Sequence, residues 1–295
     1  MKPARFDYAC PQTLAEAVAL LGRPNAKAMA GGQSLMPLMA FRLARPDLIV
    51  DLKRVPGLDR IEIGAHSPGA SPTDQPDARG VKLGAKVRWV DIERDNRLAT
   101  AHPLLADAVS HIAHYQIRNR GTVGGSIAHA DPAAEMPGIA VTCDAEIHVT
   151  GPNGARVIKA ADFFQSALQT TLAADELITH VQLPAWIPGR RSAFLEFARR
   201  RGDFALAGIA LFYDPGKDGR ATNAHVGVIG MGDRARRLAA AESAINGRVL
   251  DEATIRAAAS AASKEVEPSG DIHADPEYRR GLVATLTERA LKRAL

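Results

Sequence analysis

Two stretches, Ala30-Gly31-Gly32-Gln33-Ser34 and Thr122-Val123-Gly124-Gly125-Ser126, decide how this chain is read. The first continues into Leu35-Met36-Pro37. The second follows Gln116-Ile117-Arg118-Asn119-Arg120-Gly121 and leads to His129-Ala130-Asp131-Pro132. Each sets paired glycines beside a hydroxyl side chain. Glycine lacks Cβ, so the chain reaches positive φ and brings its amide hydrogens close to an oxyanion. Ser34, Thr122 and Ser126 add hydroxyl donors for the same oxygens. One Gly-Gly pair alone reads more readily as a turn. Two of them, each within a long matching flank, point to a ligand whose diphosphate is held from two sides.

The flanks Ala30 to Asp51 (AGGQSLMPLMAFRLARPDLIVD) and Gln116 to Pro137 (QIRNRGTVGGSIAHADPAAEMP) resemble the FAD-binding medium subunits of the molybdenum hydroxylases, the xanthine dehydrogenase family. Within it, the flavoprotein subunit of aerobic carbon monoxide dehydrogenases is the nearest look-alike. Arg201 to Ala205, Val226 to Leu238 and Asp271 to Arg279 resemble that family's C-terminal domain, so the likeness extends over nearly the whole chain. It implies an α+β fold: a two-lobed FAD-binding domain, residues 1–53 and 54–175, followed by a C-terminal antiparallel sheet carrying three helices, residues 176–295. It also implies FAD, a small [2Fe–2S] partner subunit that supplies electrons, and a large molybdenum–pterin subunit that oxidises substrate. The expected assembly is a dimer of heterotrimers, and the electrons leave to quinone, NAD or dioxygen. The cofactor opening is expected to lie beside an apolar or mildly basic docking patch.

Composition agrees. A chain of 295 residues, 46% of them hydrophobic, has room for a sizeable core and for two domains. The net charge of +4 comes with arginine clusters at 199–201, 234–237 and 289–293. No aromatic residues interleave with them, which favours solvated faces and a partner surface over nucleic acid. Cys10 and Cys143 are isolated, which excludes a zinc site or a cysteine-ligated cluster and fits a reducing compartment. The start of the chain lacks a signal-peptide pattern and no apolar run approaches a membrane span, so a cytoplasmic protein is expected.

Along the chain, Phe6–Tyr8 reads as a strand. Thr13 and Glu16 form a capping box for a helix whose Leu14, Ala17, Val18 and Leu21 make one apolar face, ended by Gly22. A strand at 27–30 feeds the first glycine loop, Ser34 caps a short helix through Met39, and 48–51 is a strand. A hairpin pairs 61–63 with 81–83, with the Pro-, Ser- and Gly-rich segment 66–80 as an insertion at its tip. A helix spans 104–112. Asp131-Pro132 starts another, running to Cys143. A hairpin occupies 146–158. Strands at 177–183, 192–198, 206–213 and 221–229 precede helices at 234–246, 252–266 and 277–294, an order that argues for helices on one face of a sheet.

Other chemistries are absent. Gly227, Gly230 and Gly232 lack dinucleotide-fold spacing, Gly216-Lys217 lacks a P-loop glycine, and neither serine sits in a hydrolase elbow. His111 and His114 have no carboxylate neighbour and read as surface residues rather than metal ligands. The cofactor-binding candidates are Ala30, Gly31, Gly32, Gln33, Ser34 and Leu35, then Thr122, Val123, Gly124, Gly125 and Ser126. His129, Asp131 and Glu135 are expected to reach the ribityl or adenosine portion, with helix capping by Asp131 as the alternative. Phe204 is expected to stack on the isoalloxazine or else to fill the domain core. Leu177 and Ile178 are further candidates for the ring pocket. No side chain is assigned as catalytic and none as a metal ligand, because the flavin carries the redox chemistry. Two rivals stand beside this reading: a self-contained FAD-dependent oxidase or reductase, and a cofactor-carrying scaffold without turnover.

Overall fold

The computed structural model describes residues 2–64 and 80–295. The expected insertion 66–80 therefore lies outside the described residues, apart from Gly80. The first lobe is a three-stranded parallel sheet in the order β1-β3-β2, built from β1 (Asp7–Ala9), α1 (Leu14–Leu21), β2 (Ala26–Met29), α2 (Leu35–Ala40) and β3 (Leu48–Asp51). Thr13 caps α1 by accepting from the Glu16 amide at 3.1 Å, while the Glu16 carboxylate takes the Gln12 amide. Ala17 and Leu21 bury the helix against Ala26, Leu48 and Val50. The first glycine loop leaves the carboxyl end of β2. Open parallel sheets bind ligands at that edge, where connections diverge.

The second lobe follows: β4 (Ile61–Ile63), β5 (Val81–Gly84), α3 (Trp89–Arg94), α4 (Leu98–Ala101), α5 (Pro103–Val109), α6 (Tyr115–Arg118), α7 (Val123–His129) and α8 (Glu135–Thr142). Then come β6 (Glu146–Gly151), β7 (Gly154–Lys159), α9 (Ala160–Phe163), the two-stranded pair β8 (Phe164–Ser166) and β9 (Gln169–Thr170), and β10 (Leu177–Leu183). Its sheet has the order β4-β5-β10-β6-β7. Strand β10 is central: Val181 pairs with Leu83 on one side and Ile147 on the other. The sequence reading groups this strand with the C-terminal domain, but its pairing places it in the second lobe. Ile178, Val181 and Leu183 are buried in its core, while Leu177 packs into the core of the first lobe.

A second departure concerns α8, which starts at Glu135 rather than at Asp131-Pro132. Pro137 supplies the reason. It has no amide hydrogen, so it fits only in the first helical turn, where no intrahelical bond is needed. Asp131 instead closes a turn, its carboxylate accepting the Ala133 amide at 2.9 Å. Ser34 precedes α2 but makes no side-chain cap bond.

The C-terminal domain consists of β11 (Arg191–Phe197), β12 (Ala207–Pro215), β13 (Ala221–Ile229), β14 (Arg236–Arg237), α10 (Ala239–Ile245), α11 (Glu252–Glu265) and α12 (Pro276–Arg293). The expected helix 234–246 is split, because Arg236 and Arg237 pair with β13 before α10 begins. The Arg237 guanidinium holds this turn, bonding Glu242 at 2.7 Å and Asp144 at 2.9 Å. Helices α10, α11 and α12 cover one face of the sheet around Ile209, Val226 and Leu286. The other face belongs to the core of the second lobe, where Phe194, Ala210, Phe212 and Ile229 join residues of α5 and α8. One apolar core therefore runs through the junction of the two domains.

Candidate functional site

The two glycine loops are in contact. A Cβ built on Gly31 would overlap the carbonyl group of Arg120, and it would lie 3.0 Å from Cα of Gly121. Gly32 has φ +72°, a conformation glycine adopts without strain. The Gln33 side-chain amide donates to the Gly31 carbonyl at 3.1 Å and braces the turn. Among the described residues, no protein acceptor takes the backbone amides of Gly31, Gly32, Gln33 or Ser34. These residues, with Ala30 and Leu35, are partly exposed. Four unpaired amides on a bent glycine turn are donors waiting for an anion.

The second loop differs. The Val123 amide donates to the Val87 carbonyl and the Gly124 amide to the Ala85 carbonyl, each at 2.9 Å. The Gly125 amide is taken by Thr122 Oγ1 at 3.2 Å and the Ser126 amide by the Thr122 carbonyl at 3.0 Å. Its amides are thus engaged within the fold, and what it presents is hydroxyl groups. The Thr122 oxygen accepts the cap bond while its proton stays available, and Ser126 is partly exposed. The paired glycines of this loop serve packing: a Cβ on Gly124 would meet that of Ala85 at 2.6 Å.

Helix α7 runs from this loop for seven residues, about 10 Å, and ends in Ala130 at φ 53°. At its far end is a cleft of about 630 Å³ between the turn Asp131–Ala133 and the C-terminal domain. Phe204 lines it and is 67% exposed, so the alternative that Phe204 fills the domain core is excluded. Arg279 is buried at its base, donating to the Leu206 carbonyl at 2.7 Å and to Asp271 at 2.6 Å. Arg199 contacts His273 at 3.1 Å on the rim, and Ile272, between two lining residues, is 94% exposed. The mouth thus combines apolar and basic groups.

Glu135 is 8% exposed at the start of α8. Burial, aided by the charge of Asp131, pushes its carboxyl up to about 7. Burial keeps the His129 imidazole below its ordinary value, and thus uncharged at neutral pH. Leu177 is packed into the core of the first lobe and Ile178 into that of the second, at the start of β10. His111 rests its ring on Phe194 at 5.0 Å, and no metal-binding cluster exists among the described residues. Sequence reasoning missed Glu196, Arg199, Asp271 and Arg279. Glu196 was legible as the one charged residue on its face of β11, beside Ser192 and Phe194; the others depend on how the C-terminal loops fold back.

Residues 4–186 match the model of the FAD binding domain in molybdopterin dehydrogenase, and residues 192–294 match the CO dehydrogenase flavoprotein C-terminal domain. The chain belongs to this family of FAD-binding medium subunits. Its cofactor is FAD, and it is a subunit of an oxidoreductase. The nicotine 6-hydroxylase medium subunit of Paenarthrobacter nicotinovorans is 39% identical, covering 100% of this chain and 99% of that protein. A solved carbon monoxide dehydrogenase from Hydrogenophaga pseudoflava superposes with a TM-score of 0.92 at 34% identity, covering 100% and 98% of the two chains. Quinoline 2-oxidoreductase from Pseudomonas putida 86 gives 0.90 at 36% identity, covering 100% and 98%. Medium subunits act within multi-subunit complexes, so this one has partner subunits. No helix among the described residues is long and apolar enough to cross a membrane.

Proposed function

We propose that this chain is the electron-transfer subunit of a molybdenum hydroxylase, in which loop 30–35 holds the FAD diphosphate. The unpaired amides of Gly31 to Ser34 carry this reading. Thr122 and Ser126 add hydroxyl bonds from the second loop, and α7 spaces the diphosphate site from the cleft. The turn with His129, Asp131 and Glu135 lies along the ribityl chain, and Phe204 shields the isoalloxazine in the cleft. Leu177 and Ile178 support the pocket from β10. The bound flavin supplies exchange between one- and two-electron transfer; the protein binds it, orients it and keeps water from its faces.

Electrons arrive from a [2Fe–2S] cluster in a small subunit, itself served by a large molybdenum–pterin subunit, and leave to an external acceptor. The apolar and basic rim formed by Phe204, Ile272 and Arg199 suits a partner subunit, with a dimer of heterotrimers as the assembly. Relatives named for action on nicotine and quinoline favour a nitrogen heteroaromatic substrate for the complex. The test is reconstitution. The FAD-loaded chain alone should oxidise neither NADH nor substrate, whereas the complex with both partner subunits should reduce its flavin on adding substrate. Turnover by the isolated chain would favour a self-contained oxidase.

A further inference from the structure

The four most exposed large apolar side chains among the described residues are Ile272, Leu43, Phe204 and Phe41. Ile272 and Phe204 stand at the mouth of the cleft. Phe41 and Leu43, 65% and 77% exposed, stand two residues apart on the first lobe, in the segment that follows α2. The backbone fixes that exposure. The Arg42 amide donates to the Met39 carbonyl at 3.0 Å and the Leu43 amide to the Leu38 carbonyl at 2.9 Å, the bond pattern of a Schellman cap. Such a cap commonly packs its last apolar residue back onto the helix, whereas here Leu43 stays in solvent and only Met39 of α2 is buried. Arg42 occupies the left-handed position of the cap at φ 59°, where glycine is the usual residue. The turn accepts strain and keeps a guanidinium.

The segment is also free of acid. From Ala17 to Pro46 the chain has Arg23, Lys27, Arg42 and Arg45 and no aspartate or glutamate. Neither Arg42 nor Arg45 meets a carboxylate among the described residues; Nε of Arg45 donates to the Arg42 carbonyl at 3.2 Å. The next acid along the chain, Asp47, accepts from the Asn25 side chain at 3.2 Å. Exposed phenylalanine, an aliphatic neighbour and unpaired arginines together have the composition of an interface core. A second copy of this chain would bring the same cations against them, and like charge opposes that contact. Medium subunits act within multi-subunit complexes, and a partner subunit with an acidic face meets no such opposition. The surface is firmly tied to the fold: α2 starts at Leu35, and Met36 lies 3.3 Å from where a Cβ of Gly32 would stand.

We propose that Phe41, Arg42, Leu43 and Arg45 form a second docking surface, separate from the cleft rim, which receives an apolar face rimmed by carboxylates on a partner subunit of this chain's own complex. The proposal rests on membership of a multi-subunit family, not on where the flavin sits. It is tested by mixing the FAD-loaded full chain with its separately purified partner subunits and measuring association by analytical ultracentrifugation, with FAD content and melting temperature recorded for each variant. Phe41→Ser combined with Leu43→Ser should weaken association about tenfold and leave FAD content and melting at wild-type values, because neither side chain is packed in the fold. Arg42→Gly should melt higher, as the strain is relieved, and yet associate about fivefold more weakly. An arginine with a purely structural role would not separate those two readings. Arg42→Glu combined with Arg45→Glu should weaken association about a hundredfold, and added salt should weaken it in the wild type. Serine or glycine variants that associate like wild type, or an association indifferent to salt and to charge reversal, would overturn the proposal. So would a wild-type chain that joins no partner subunit. Loss of FAD from the serine variant would overturn it by assigning the segment to the cofactor, and dimerisation of the isolated chain through this surface would do so by making a second copy the occupant. Association is read independently of colour, so a failure of the FAD reading is seen separately.

Discussion

Gly31 and Arg120 meet so closely that the backbone carbonyl of one occupies the space where a side chain of the other would begin. This contact joins the two glycine loops, which come from different lobes. It also assigns them unequal work. The first loop keeps its amides unpaired for a ligand, and the second uses its amides to lock α7 onto the segment Ala85–Val87.

Gly31→Ala should therefore push the loops apart. Because the obstacle is backbone, the expected effect is a loss of about 1–3 kcal/mol of stability, together with a FAD affinity lowered at least tenfold. Thermal melting and fluorescence titration check both. Unchanged FAD affinity would place the diphosphate elsewhere.

Gly32→Val and Gly124→Val should behave differently, although the sequence alone treats the two glycines alike. Gly32 sits at φ +72° in the ligand-facing turn, so its valine variant should fold, lose about 1–2 kcal/mol to strain and purify without yellow colour. Gly124 packs against Ala85 in the interior, so its valine variant should misfold or melt far lower. A Gly124→Val protein with wild-type melting and no FAD would contradict this division of labour.

The Glu135–Glu196 pair gives a stability signature. Both carboxyls are raised in the folded state, to about 7 and about 8, from an ordinary 4.5. The folded protein thus binds more protons than the unfolded chain, and stability is fully present below about pH 4.5 and lost as pH rises through 7 and 8. Denaturant titrations of the apoprotein should show stability declining across that window, with a smaller decline in Glu196→Gln. A flat profile would contradict burial of the pair.

Phe204→Ala should leave the melting temperature within about 1–2 °C of wild type, because the ring is exposed rather than packed. It should instead alter the visible spectrum of the bound flavin and raise its exposure to quencher. An unaltered spectrum would remove Phe204 from the ring pocket.

Local signals in the sequence were sufficient for most elements. Thr13 with Glu16 announces α1, and the two glycine loops with their flanks announce the cofactor and the family they resemble. These features act over a few residues, through capping bonds, side-chain period and turn geometry, so they are written in contiguous sequence. The start of α8 was legible too, but only from Pro137, five residues past the more conspicuous Asp131-Pro132.

Tertiary structure decided the rest. That β10 lies between β5 and β6 depends on pairing with strands far apart in the chain, which composition and period do not encode. Which glycine loop keeps its amides free depends on whether Ala85 and Val87 offer their carbonyls to it. The desolvation of Glu135 and Glu196, and the acidity each then loses, exist only once β11 and α8 pack on a common core. The cofactor and the fold class were already legible through the family that the local motifs resemble. The assignment of each loop and each carboxyl fell to the fold, because hydrogen bonding and desolvation depend on neighbours brought together across the whole chain.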